Sequence, residues 1–256
     1  MKGWAMPSPR PARAAPPGYQ ATEQMVRDLH AADYERWFLA TKGRFFDSRE
    51  RGLFRSMVRA VRFQSVLEIG CGTGRITETV APHVGSITAL DFSVASVAIL
   101  RAKGIGNVRV DCANICEGLP FAAGSFQLVL ACQVLQHLMP RDLLTVVREC
   151  ARVLEPGGQL AFTAYNLDHF RCTRAEETAE NGLYSRRFSR ASVRELAVNS
   201  GFALQELKYY KAIPSRLARR TRFAHAQLLL DRAMCALPGL AARLAGYLFA
   251  VLVRTS

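Results

Sequence analysis

Between Ser65 and Ala164, short apolar runs rich in β-branched residues alternate with longer segments whose apolar side chains recur every three or four positions. The short runs Ser65 to Ile69, Ser86 to Leu90, Val108 to Asp111, Leu128 to Cys132 and Gln159 to Ala164 predict buried strands, with further candidates at Ala203 to Tyr210 and Tyr247 to Arg254. The intervening periodicity predicts helices near Arg75 to Val80, Val94 to Lys103, Arg141 to Leu154 and Arg190 to Ser200. Ser93 is placed to cap the second of these, and Pro156-Gly157-Gly158 must break the third. Upstream, Ala21 to Lys42 reads as a helix ended by Gly43, and Ser48 to Val61 as another with Leu53, Phe54, Met57, Val58 and Val61 on one face. Strands that alternate with helices imply an α/β protein whose mostly parallel sheet is covered on both sides.

Length and composition fit one such domain. The chain has 256 residues, half of them hydrophobic and about a fifth charged, which excludes global disorder. Residues 1–18 carry five prolines with Lys2, Arg10 and Arg13 and predict a disordered tail, not a secretory signal. Residues 19–62 then form a helical cap, and 63–256 the main domain. A basic helical insertion at about 214–240 separates the last two strands. The longest late apolar run, Tyr247 to Val253, is far short of the roughly 18 residues that span a bilayer. Seven cysteines without a Cys-x-x-Cys pair or a zinc-like spacing predict a reduced, cytoplasmic protein and no metal site. A net charge of +13 favours anionic partners: nucleic acid, a membrane surface or an acidic substrate.

The chemistry concentrates at one loop. In Glu68-Ile69-Gly70-Cys71-Gly72-Thr73-Gly74-Arg75, three alternate glycines lie directly after a buried strand and before a helix. There, glycines let the chain turn sharply and let a ligand approach main-chain N–H groups. The nicotinamide fingerprint G-x-G-x-x-G does not fit, because the third glycine comes one residue early. Asp91 ends the next strand, where a carboxylate can accept hydrogen bonds from both hydroxyls of a ribose.

The pattern E-x-G-x-G-x-G resembles the first motif of class I S-adenosylmethionine-dependent methyltransferases. The later segments Val108 to Ile115, Phe126 to Leu138 and Arg152 to Gly158 resemble the family's following motifs in order. The likeness is greatest to the small-molecule type found in ubiquinone and menaquinone biosynthesis, and it covers about Val66 to Ala164. It implies a Rossmann-like, doubly wound, mostly parallel seven-stranded sheet with helices on both faces and an antiparallel last strand. It implies S-adenosyl-L-methionine as cofactor, S-adenosyl-L-homocysteine as product, and a binding set of Glu68, Gly70, Cys71, Gly72, Gly74, Asp91, Phe92, Asn114, Ile115 and Cys132. Phe92 would lie beside the adenine. Asn114 stands where the family has an aspartate, with Asp111 as its rival, and Gln127 replaces an acid that mostly supports the fourth strand.

Because a sulfonium methyl is already electrophilic, the resemblance implies in-line displacement onto a small-molecule acceptor, with O- or C-methylation favoured. His137 is then the candidate base, with a structural histidine as the bland alternative; Tyr165, Asn166 and the more distant His169 are candidates to face the acceptor. Tyr34, Trp37 and Phe38 form either a lid or a core-facing helix. Arg216, Arg219, Arg220 and Arg222 ahead of Leu228-Leu229-Leu230 suit an anionic membrane surface, a lipid-like or anionic acceptor, or a plain solvated face. A nucleic-acid methyltransferase is the first competing reading, although no base-flipping motif is evident. A non-catalytic cofactor-binding scaffold is the second, and a dehydrogenase, disfavoured by glycine spacing, the third.

Overall fold

The computed structural model describes residues 28, 31, 33, 41–178, 183–212 and 224–255. The expected tail, the Tyr34, Trp37 and Phe38 group, and Arg216, Arg219, Arg220 and Arg222 lie outside the described residues.

The chain runs α1 (Thr41–Ala60), β1 (Ser65–Ile69), α2 (Arg75–Val80), β2 (Ser86–Asp91), α3 (Val94–Ala102), β3 (Val108–Cys112), β4 (Phe126–Cys132), α4 (Pro140–Val153) and β5 (Leu154–Asn166). It continues with β6 (Glu176–Thr178), β7 (Tyr184–Phe188), α5 (Arg190–Asn199), β8 (Phe202–Tyr210), α6 (Ala224–Cys235), α7 (Pro238–Leu244) and β9 (Tyr247–Arg254). The main sheet orders as β3-β2-β1-β4-β5-β9-β8, with the first five strands parallel and β9 antiparallel to both neighbours. Strand order reverses between β1 and β4, which opens a crevice at the strands' carboxyl ends, the usual ligand position in such sheets.

The mostly parallel architecture and the antiparallel last strand match expectation, but the described strands number nine, not seven. The additional β6 and β7 pair with each other, and β7 meets β5 only at Tyr165 and Asn166. Their residues, Glu-Glu-Thr and Tyr-Ser-Arg-Arg-Phe, lack the apolar alternation that would reveal a strand. A second correction concerns Gly43, which lies inside α1 instead of ending a helix. Glycine lowers helix propensity but does not forbid the conformation.

Strand residues alternate between two cores. Val66, Ile87, Leu128, Leu130, Phe249 and Val251 pack with Phe54 and Val58 of α1, while Leu67, Ile69, Val129, Leu160 and Leu252 pack with Val146, Val147 and Val153 of α4. Ser93 caps α3 as expected, accepting from the Ser96 N–H, and Asp28 strengthens that cap by accepting from the Ser93 hydroxyl and the Ala95 N–H. Gln127 does support its strand: its Oε1 accepts the Gln64 N–H at 2.7 Å. Helix α6 is tied down by buried Asp231, which accepts from Arg49 Nε at 2.6 Å and the Ala212 N–H at 2.7 Å. Its exposed face shows Leu229 and Leu230. No helix among the described residues is long and apolar enough to cross a membrane.

Candidate active site

The glycine loop leaves β1 with left-handed φ values of 66° at Gly70, 54° at Gly72 and 92° at Gly74. A Cβ on Gly70 would lie 2.3 Å from a Val134 methyl carbon, so Val134 packs onto the bare backbone. A Cβ on Gly72 would meet nothing within 4 Å. A Cβ on Gly74 would collide with the Leu100 side chain, so the loop is packed against the protein at both ends and faces open space at its middle, as a main-chain cradle for a ligand requires. The Cys71 N–H donates to the Leu90 carbonyl at 2.9 Å, which fastens the loop to the end of β2.

At that strand end Asp91 is 7% exposed, and its two oxygens accept from the Gly72 N–H at 2.8 Å and the Ser93 N–H at 2.9 Å. These bonds fix the carboxylate beside the loop. Phe92 follows, half-buried. Asn114 lies just past β3, where it caps the short turn Ile115–Glu117 by accepting from the Cys116 N–H and donates to Glu117 Oε1 at 2.9 Å. Its rival Asp111 is paired with Arg109 at 2.7 Å near the surface. Glu68, Gly70, Cys71, Gly72, Gly74, Asp91 and Phe92 therefore cluster around the β1 and β2 ends, with Asn114 and Ile115 beyond β3 and Cys132 at the end of β4.

Glu68 is buried under the loop and accepts from Thr77 Oγ1 at 2.6 Å. Burial, opposed by the Thr77 hydrogen bond and the Arg75 charge, pushes its pKa up to about 7. Between the ordinary carboxylate range and pH 7, the folded state then holds a proton the unfolded chain has released, so stability falls as pH rises across that interval. At about 1.4 kcal/mol per unit the loss is on the order of 3 kcal/mol. Melting temperatures measured from pH 4.5 to 8 should show this decline in the wild type and a flatter profile in Glu68→Gln; parallel profiles would refute it.

The sequence did not reveal a buried polar network beside the loop. Glu50 of α1, fully buried, accepts from Arg75 Nη2 at 2.5 Å, Tyr210 OH at 2.6 Å, Gln133 Nε2 at 2.9 Å and Thr163 Oγ1 at 3.0 Å. Burial alone would raise the Glu50 pKa, but the Arg75 charge and the hydrogen bonds from Tyr210, Arg75 and Gln133 hold it below the ordinary carboxylate value. Arg75 also donates to Asp47 at 2.8 Å and contacts the Cys132 sulfur at 3.1 Å. Burial keeps the Cys71 and Cys132 thiols protonated. Gln133 and Lys211 are the only non-glycine residues among those described with positive φ, 60° and 64°. Such conformations cost about 1–3 kcal/mol each and cluster at functional sites.

Next to that network, Tyr165, Tyr247 and Tyr210 stand opposite one another across β5, β9 and β8. Their ring centroids are separated by 5.3 and 5.5 Å, and His137 continues the row at 6.4 Å from Tyr165. The Lys211 ammonium sits 4.7 Å from the Tyr247 ring centre. His137 occupies the turn Leu135–His137 after β4, with Nδ1 3.0 Å from the Tyr184 carbonyl and Nε2 3.2 Å from Gln136 Nε2. A carbonyl only accepts, so Nδ1 carries a proton and the Nε2 lone pair accepts from the Gln136 amide. Asn166 is turned away from this wall, because its amide donates to the Ala242 and Ala245 carbonyls at 2.7 Å. His169 packs against Phe170 instead. The strand-end tyrosines carried a sequence signal in Tyr209-Tyr210-Lys211, but only the pairing of β8 with β9 brings Tyr210 and Lys211 to the site.

Residues 66–158 match the family model described as a methyltransferase domain. Over 158 residues the chain is 30% identical to a probable S-adenosylmethionine-dependent methyltransferase of Mycolicibacterium smegmatis, a match covering 62% of this chain and 59% of that one. It is 33% identical over 104 residues to a ubiquinone biosynthesis O-methyltransferase of Xanthomonas oryzae pv. oryzae, covering 40% and 43% respectively. These matches span less than two thirds of either relative. The crystal structure of Burkholderia thailandensis 1,6-didemethyltoxoflavin-N1-methyltransferase, with bound 1,6-didemethyltoxoflavin and S-adenosylhomocysteine, has a similar fold. Its TM-score is 0.66 at 17% identity, over 97% of this chain and 95% of that one. The match to a methyltransferase domain thus falls on the glycine loop and the strands that carry it, within a fold shared with the compared structure.

Proposed function

We propose that the chain transfers the methyl group of S-adenosylmethionine to a small-molecule acceptor, at oxygen or carbon. The observation that carries this reading is the open middle of the glycine loop with Asp91 fixed against the Gly72 N–H at 2.8 Å. These residues suit the cofactor: Asp91 accepts the ribose hydroxyls, the backbone of Gly70 to Gly74 lines the amino-acid end, and Phe92, Asn114 and Ile115 border the adenine. When bound, the cofactor supplies an electrophilic methyl on a sulfonium sulfur. The protein's task is alignment, which can contribute about 7–11 kcal/mol in well-oriented systems. His137 Nε2 takes the acceptor's proton in this reading by exchanging its bond with the Gln136 amide for one with the acceptor, a role worth roughly 10² to 10⁴ in rate.

The test is thermal and chemical. S-adenosylhomocysteine at 100 times its Kd should stabilise the protein by about 2.7 kcal/mol, and a nicotinamide dinucleotide should not. The reverse ranking would sink the reading. Labelled-methyl transfer into metabolite fractions separates an enzyme from a binding scaffold, and transfer into nucleic acid instead of small molecules would favour the competing class.

A further inference from the structure

We propose that α6, α7 and the turn at Phe170 form a docking surface for an anionic lipid bilayer. The proposal does not depend on the reaction catalysed. Eight large apolar side chains stand exposed among the described residues, and five of them belong to this region. They are Leu229 and Leu230 of α6, Leu237 between the helices, Leu240 of α7, and Phe170, with exposures from 43% at Leu240 to 64% at Leu229. Single exposed apolar residues are ordinary, but a concentration of them marks a surface that meets something else. The helices that carry them are firmly placed. Leu229 lies two residues from Asp231, about 200° around an α-helix, so burying Asp231 against Arg49 and the Ala212 N–H turns the leucine outward. The Asn166 amide holds α7 through the Ala242 and Ala245 carbonyls at 2.7 Å, and the Phe170 N–H donates to the Arg243 carbonyl at 2.9 Å. Asn166 ends β5, so the surface borders the end of the sheet where the crevice opens.

Charge decides what this surface meets. From Ala224 to Leu244 the only acidic residue is Asp231, which is engaged inside, whereas Arg232 and Arg243 are exposed. Arg171 is exposed beside Phe170, its guanidinium carbon 5.1 Å from the ring centre. The acid of that turn, Asp168, is engaged by the Tyr209 hydroxyl at 3.1 Å and the Arg190 N–H at 3.0 Å. In the sequence leading into α6, residues 213–223 add Arg216, Arg219, Arg220 and Arg222 and no acid. A solvated helix face ordinarily mixes both signs. Apolar side chains interspersed with cations alone suit the boundary of a bilayer, where leucine and phenylalanine enter the acyl region and arginine meets lipid phosphate. A second copy of the chain docked on the same face would bring these arginines against their like. A nucleic acid backbone would leave the five apolar side chains without a counterpart.

Vesicle flotation of the full chain tests this, with phosphatidylcholine vesicles containing about one third phosphatidylglycerol and with phosphatidylcholine alone. The chain should bind the anionic vesicles about tenfold or more tightly than the neutral ones, and should release them in about 1 M salt, where the screening length is about 3 Å. Leu229→Ser with Leu237→Ser should weaken binding about tenfold or more. Arg232→Gln with Arg243→Gln should do the same, at roughly fivefold per arginine. Both double variants change exposed side chains and should keep the wild-type melting temperature. Val198→Ser removes a 75% exposed side chain at the opposite end of β8 from α6 and should leave binding unchanged. Absence of binding to anionic vesicles at low salt, equal binding to neutral ones, or binding that survives in both double variants overturns the proposal. So does a change of oligomeric state in the leucine variant with vesicles left unbound by the wild type, which would assign the face to a second copy.

Discussion

Glu50→Ala should lower the melting temperature by about 6–20 °C. The substitution removes one carboxylate but strands four groups: the Arg75 guanidinium, the Tyr210 hydroxyl, the Gln133 amide and the Thr163 hydroxyl, all of which donate to it. Breaking a buried ion pair from one side costs about 3–5 kcal/mol, and the bond Arg75 keeps to Asp47 places this case toward the lower end. For a domain of this size each kcal/mol moves the midpoint by roughly 2–4 °C. Removing both charges together, as in Glu50→Leu with Arg75→Leu, should recover part of the loss, because the penalty lies in the orphaned charge more than in the pair. The pH dependence has the opposite sign to that of Glu68. Glu50 is held below its ordinary value, so its contribution is present above the ordinary carboxylate range and disappears as pH falls toward its folded pKa. Calorimetric or circular-dichroism melting of the single and double variants checks this, and a loss under about 1 kcal/mol in Glu50→Ala would show that the network contributes little.

The contrast between Glu68 and Glu50 also explains what the sequence could reveal. Glu68 stands two residues before the first of three spaced glycines, at the end of an apolar run, so its location under the loop follows from local order alone. Asp91 is similarly visible, since it closes a strand two residues ahead of a serine cap. Glu50 gives no such signal. It sits in a helix with Arg49 and Arg51, where an acidic residue reads as solvated, and its partners lie 25, 83, 113 and 160 residues away. Only the folded sheet brings Gln133, Thr163 and Tyr210 to one point. The same limit hid Lys211, whose neighbours Tyr247 and Gly246 come from the strand beyond an entire helical insertion. The strands that local pattern missed, β6 and β7, are polar ribbons attached to the end of β5, and their formation depends on Phe188 and Tyr184 being buried by tertiary contacts.

Asp91→Ala should weaken S-adenosylhomocysteine binding by about 100-fold. Two hydrogen bonds from ribose hydroxyls to an ionised carboxylate contribute about 1.5 kcal/mol or more apiece, and about 1.4 kcal/mol is a factor of ten. Asp91 has a second task, however, because the same oxygens anchor the Gly72 and Ser93 N–H groups. Loss of affinity could therefore come from a loosened loop instead of a lost ribose contact. An analogue without the 2′-hydroxyl separates the two. It should bind wild type roughly tenfold or more weakly than S-adenosylhomocysteine does, and should bind Asp91→Ala about as well as the full ligand, since the variant has no partner for the missing group. If the analogue loses the same factor against both proteins, the ribose is held elsewhere, and Asp91 serves the loop alone. In that case the site would still have a main-chain cradle, but the acid at the end of β2 would be a support for the glycine turn and not the group that recognises a nucleoside.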